Sequence, residues 1–147
     1  MALLEAGVAD WPVESMAVVG SSLGGFYATA LAERLGCRAV LLNPAVHPAR
    51  DLARHIGQQT AWHQIDSHFF FEPRFIDELH ALQTETLTTP AHYLAIIAKG
   101  DEVLDWREMA ARYAGAQRLL LEGGDHGLSD FGVHLPVIQH FLGLGMR

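Results

Sequence analysis

Hydrophobic positions along the chain follow two rhythms. Short uninterrupted apolar runs stand in "MAVVG" (16–20), "RAVLL" (38–42), "AHYLAIIAKGD" (91–101) and "AQRLLLEGGDHG" (116–127), each stopped by Gly, Asn-Pro or Gly-Asp. Such runs, rich in aliphatic and β-branched residues, predict strands covered on both faces. Elsewhere the spacing is helical: Phe26, Leu31 and Leu35 ahead of Gly36, then "DWREMAARYAG" with Asp105 as its cap. "VHLPVIQHFLGL" predicts a closing helix with Pro136 in or near its first turn, and "MALLEAGVA" a short opening one, broken by "WPVES". Four strands joined by helices predict a parallel sheet with helices on both faces, a single α/β domain over residues 1–147.

Residues 45–90 interrupt this alternation. They show helical pieces but no clear strand, and are too long for a plain connection, so they predict a small inserted unit. Trp62, Phe69, Phe70, Phe71 and Phe75 fall there, beside His55, His63, His68 and His80. One reading packs these aromatics onto the sheet. The functional reading is a lid whose apolar face meets a substrate, with Trp62, Phe69, Phe70 and Phe71 as its binding residues.

Composition narrows the partners. The 147 residues are 50% hydrophobic and 18% charged, enough for one sizeable core, and the net charge of −7 comes without any basic run or stripe. Nucleic acid and anionic membrane are therefore not expected as partners. Cys37, the only cysteine, precedes an apolar run and reads as a buried core residue, so neither a disulfide framework nor a cysteine metal site is expected. No metal or other cofactor enters the reading. The chain shows no signal-like opening and no run long enough to span a bilayer, which predicts a cytoplasmic protein.

The chemistry gathers where strands end, since ligands of open parallel sheets collect outside the carboxyl ends of the strands. Gly20-Ser21-Ser22-Leu23-Gly24 fits G-x-S-x-G and lies between a strand and a helix, the context expected of a nucleophile elbow. There the turn is sharp, a side chain at position 20 or 24 would collide with backbone, and Ser22 is held at a helix N-terminus beside the Leu23 N–H, a candidate oxyanion donor. A serine hydroxyl needs a base. Of nine histidines, His126 alone sits in a glycine-rich loop directly after a strand, in "EGGDHG". The acid that orients it is read as Asp101, after the third strand; Glu102 is expected to point away, Asp105 to cap a helix and Asp125 to brace its own loop.

With these residues in view, the chain resembles the YqiA-like group of small α/β-hydrolase-fold esterases. "VVGSSLGGFYAT", "LLNPAVHP", "KGDEVLDWRE" and "LEGGDHGLSDF" with "HFLGL" stand in the order of that family's elbow, post-strand, acid and histidine loops. The resemblance implies an α/β-hydrolase fold and hydrolysis of small-molecule esters or acyl thioesters, with Ser22, Asp101 and His126 as nucleophile, acid and base.

The departure is at the front. Family members begin with a strand leading to a His-Gly-Phe loop that supplies a second oxyanion donor, and only 15 residues, none of them His-Gly, precede "MAVVG". Two expectations follow. One is a catalytically weak remnant acting as a binding or assembly module, the alternative to an active hydrolase. The other is an uncovered edge at residues 16–20, through which the chain pairs or swaps with a second copy, aggregates, or takes up a separately supplied upstream strand, unless Leu3, Leu4 and Val8 of the opening helix fold over it.

Overall fold

The computed structural model describes residues 1–61 and 64–145, with backbone alone for 60, 61 and 64–69. It divides into two compact units, Met1–Val46 with Thr84 onward, and His47–Gln83. The larger unit holds a four-stranded sheet of β1 (Ala17–Ser21), β2 (Arg38–Leu42), β5 (Tyr93–Ala98) and β6 (Gln117–Leu121), all neighbours parallel, in the order β1-β2-β5-β6.

That order explains where the helices go. Strands that advance steadily in one direction, joined by right-handed crossovers, put their connecting helices on the same face. Accordingly α2 (Leu23–Leu35) and α5 (Trp106–Arg112) share one core, where Ala28, Ala32, Met109 and Tyr113 meet Ala39, Leu41, Tyr93, Ala95 and Ile97. Alternate strand residues point the other way. Val40, Leu94, Ile96 and Ala98 pack there against Leu128 and against Val137, Ile138 and Phe141 of α6 (Phe131–Leu142), which follows the last strand and covers the second face. Cys37 is buried in the first core.

Local signals account for some helix ends. Gly36 closes α2 in the left-handed region, at φ 76°. Asp105 caps α5 by accepting the Arg107 N–H at 2.9 Å. Because the cap satisfies one otherwise orphaned amide, Asp105→Ala is expected to cost about 1 kcal/mol of stability. A thermal melt measures that loss, with kcat unchanged. Pro136 departs from expectation: α6 starts at Phe131, so the proline sits in its second turn. There, having no N–H, it forfeits the bond to the Gly132 carbonyl.

The opening helix α1 (Ala2–Val8) is tied to α2 by the ion pair of Glu5 with Arg34, and Val8 packs on the first core. Of the residues expected to cover β1, Leu3 and Leu4 stay 90% and 44% exposed, and Val19 on β1 remains half exposed.

The smaller unit corrects the sequence reading. Besides α3 (Pro48–Leu52) and α4 (Pro73–Leu82) it contains an antiparallel pair, β3 (Gly57–Ala61) and β4 (Gln64–Phe71), with Gln58 opposite Phe70 and Gly57 opposite Phe71. Gln58 and Gln59 break the apolar alternation that signals a strand, so β3 escapes a hydrophobic-pattern search. The aromatic run Phe69–Phe71 nonetheless suits a pleated strand once it has a partner. Among the described residues no helix is long and apolar enough to cross a membrane.

Candidate active site

Ser22 lies between the end of β1 and the start of α2, with φ 54° and ψ −123°. Positive φ is costly for a residue with a Cβ, and a turn this tight needs help from its neighbours. Gly20 gives it: a Cβ there would stand 2.2 Å from the Gly24 carbonyl oxygen. Gly24 itself does not, contrary to the sequence reading, because a Cβ at that position meets nothing within 4 Å. The second crowded glycine is Gly25, whose Cβ would lie 2.7 Å from that of Pro44. The Ser22 carbonyl accepts from Gly25 and Phe26, starting the helix. Leu23 supplies the first amide of α2, one with no acceptor inside the helix.

The hydroxyl of Ser22 is 2.9 Å from Nε2 of His126, and Nδ1 of the same ring is 2.8 Å from Oδ2 of Asp101. A carboxylate can only accept, so Nδ1 carries the ring proton and donates it, which leaves Nε2 free to accept from the serine. The Asp101 side chain is fully buried and that of His126 is 20% exposed. Oδ1 of Asp101 also accepts the Val103 and Leu104 N–H groups, both at 2.8 Å, fixing the carboxylate in its turn.

The histidine loop is pinned on several sides. Leu128, buried at φ 49°, anchors it in the core beneath α6. Oδ1 of Asp125 accepts the Ser129 N–H, and the Ser129 hydrogen bonds hold the Asp125 carboxyl below the usual carboxylate range. Glu102 does not point away: its Oε2 accepts the His126 backbone N–H at 3.0 Å. Side-chain direction in a turn has no periodicity, so spacing alone could not show it.

These loops have a further partner that the sequence reading took only for the end of a strand. Asn43, wholly buried, donates from Nδ2 to the carbonyls of Asp125 and His126, each at 3.0 Å, and accepts the Ala98 N–H on Oδ1 at 2.8 Å. The signal available was the Asn-Pro pair itself, a residue tolerant of positive φ at a strand end.

The aromatic residues of the insertion belong to the other unit. Phe70 is 60% exposed, and Phe71 meets Phe75 edge to face, ring centres 5.4 Å apart. Phe69 is paired through its backbone with Gln59, whereas Trp62 and His63 lie outside the described residues.

The model of the uncharacterised protein family UPF0227 matches residues 1–143. The chain belongs to UPF0227, the YqiA-like family that its motifs resemble.

Similar solved structures show that this chain has the α/β-hydrolase fold. A chain from Agrobacterium vitis S4, provisionally designated a hydrolase, is 17% identical at a TM-score of 0.70 and is matched over 93% of this chain and 65% of its own. The α/β hydrolase domain-containing protein 10 from mouse is 17% identical at 0.65, with 95% and 65% covered. The esterase domain of a Rhodothermus marinus protein is 19% identical at 0.65, with 95% and 64% covered. This chain thus spans just under two thirds of the length of these structures.

Proposed function

We propose that the UPF0227 chain is a serine hydrolase that cleaves carboxylic esters or acyl thioesters of small molecules. The observation that carries this is the unbroken line of hydrogen bonds from the Ser22 hydroxyl through the His126 ring to the Asp101 carboxylate. The serine oxygen attacks the acyl carbon while Nε2 takes its proton, and the Asp101 carboxylate stabilises the imidazolium that forms. Negative charge building on the carbonyl oxygen is met by the Leu23 N–H at the positive end of α2. Nε2 then returns the proton to the departing alcohol or thiol, and water, deprotonated by the same nitrogen, releases the acid from the acyl-enzyme.

Two measurements test this. A fluorophosphonate should add its mass to the peptide bearing Ser22, and a panel of p-nitrophenyl esters and acyl-CoA thioesters should be turned over. Labelling that falls elsewhere, or a panel left untouched by labelled protein, defeats the reading.

An apolar acyl group is the proposed substrate, supported by the aromatic run Phe69–Phe71 in the sequence with Phe70 exposed, and Trp62 is proposed as a further binding residue. Replacing Phe70 and Phe71 by serine should raise KM about tenfold for long-chain esters and leave acetate esters little changed. Equal changes for both would reduce these rings to packing.

Pairing of two copies along β1 is proposed on the strength of its place at the sheet edge and its uncharged sequence, AVVGS. Sedimentation across a dilution series should show a dimer dissociating, and a monomer at every concentration would refute it.

A further inference from the structure

Asn43 has an environment that a strand end does not require. It is fully buried, with backbone at φ 41°, and its N–H donates to the Ile96 carbonyl at 2.9 Å. An amide side chain offers two N–H donors on one atom and a carbonyl acceptor on the other. Here the nitrogen serves two successive carbonyls of the histidine loop, and the oxygen takes the amide of Ala98 at the end of β5. Ala98 also starts the acid turn, since its carbonyl accepts the Asp101 N–H at 3.2 Å.

Adjacent residues complete the pattern. The Leu42 carbonyl accepts the Ser22 N–H at 3.0 Å, and the Ala45 N–H donates to the Ser22 carbonyl at 2.9 Å. The segment Leu42–Ala45 is therefore bonded to the backbone of the loops carrying Ser22, Asp101 and His126, while contributing no reacting group.

We propose that Asn43 is a positioning residue, which sets the His126 ring against Ser22 and Asp101 by clamping the Asp125 and His126 carbonyls to the Ala98 amide. The proposal rests on the hydrolase reading above. Asparagine fits the place on two counts: it tolerates positive φ, and its one planar group supplies both the paired donor and the acceptor. Aspartate has the same shape but would set a carboxylate oxygen against two carbonyls in a fully buried site. Leucine fills the volume and bonds nothing.

A purely structural role and a positioning role both lower stability on mutation, so the test reads the ring. Asn43→Gly keeps the positive φ and deletes the clamp, whereas Asn43→Asp keeps the shape and reverses the donor. Each is assayed with a p-nitrophenyl ester below its melting temperature, together with the rate of fluorophosphonate labelling and the proton NMR signal of His126 Nδ1–H.

The expected result is a loss of about tenfold to a hundredfold in both kcat and labelling rate. KM should stay within about twofold, and the Nδ1–H signal should shift or vanish. A folded variant with wild-type kcat and an unmoved signal overturns the proposal. Should neither variant fold, the wild-type protein decides. Asn43 side-chain amide protons that exchange slowly and shift when Ser22 is phosphonylated support the role, and fast exchange or no shift overturns it. Ser22→Ala at full activity would remove the hydrolase reading itself, whereas inactive Ser22→Ala beside fully active Asn43→Gly removes only the positioning role.

Discussion

Ser22→Ala is expected to lower kcat for any ester the protein cleaves by on the order of 10⁴-fold or more, with the fold intact. The substitution removes only the hydroxyl 2.9 Å from Nε2, and leaves the 2.8 Å bond between His126 and Asp101 in place. His126→Ala should cost about as much, and the double variant little more than either alone, because a nucleophile without its base and a base without its nucleophile fail at the same step. Additive losses in the double variant would mean that the two act separately. Stability should move the opposite way at the serine. Its φ of 54° is strained for any residue with a Cβ, so Ser22→Gly, equally inactive, is expected to melt higher by about 1 kcal/mol of stability.

The second large effect separates two glycines of one motif. Gly20→Ala would drive a methyl group to 2.2 Å from the Gly24 carbonyl oxygen, a backbone atom that cannot swing aside without opening the turn. A loss of at least about 3 kcal/mol is expected, or no folded protein at all. Gly24→Ala meets nothing within 4 Å and lies inside α2, where alanine is the better helix former by about 1 kcal/mol. It should melt at or above the wild type and keep its turnover. Chemical denaturation of the two variants side by side checks this, and equal destabilisation would refute the steric account of the elbow.

The elbow was legible in the sequence because its parts are local: an apolar run, a glycine-flanked serine and helical spacing follow one another without a gap. His126 was legible by contrast with its fellows, as the histidine whose loop is glycine-rich and follows a strand. The role assigned to Gly24 was not safe, since a consensus motif names residue types and not the atoms they meet. Glu102 and Asn43 were hidden for a related reason. Both act through backbone groups distant in sequence, Glu102 on the His126 amide 24 residues on and Asn43 on the histidine loop 82 and 83 residues on. The β3–β4 pair was hidden because glutamines on one strand masked the period of two, leaving a partner strand that only tertiary pairing reveals.

The insertion has a consequence for how the chain can change. α3 packs on α4, so the two ends of the excursion from His47 to Gln83 run side by side. Chain that leaves and returns at nearly one place behaves as a closed loop, and the entropy of closing such a loop rises only with the logarithm of its length, about 0.6 kcal/mol for each doubling. Lengthening, shortening or exchanging this segment is therefore thermodynamically cheap for the sheet. β2 and β5 stay in register through their own pairs, Ala39 with Tyr93 through Leu42 with Ile96. Diversification among relatives, or recombination in the laboratory, can consequently act on residues 47–83 as an interchangeable cassette while the elbow and its histidine are inherited unaltered.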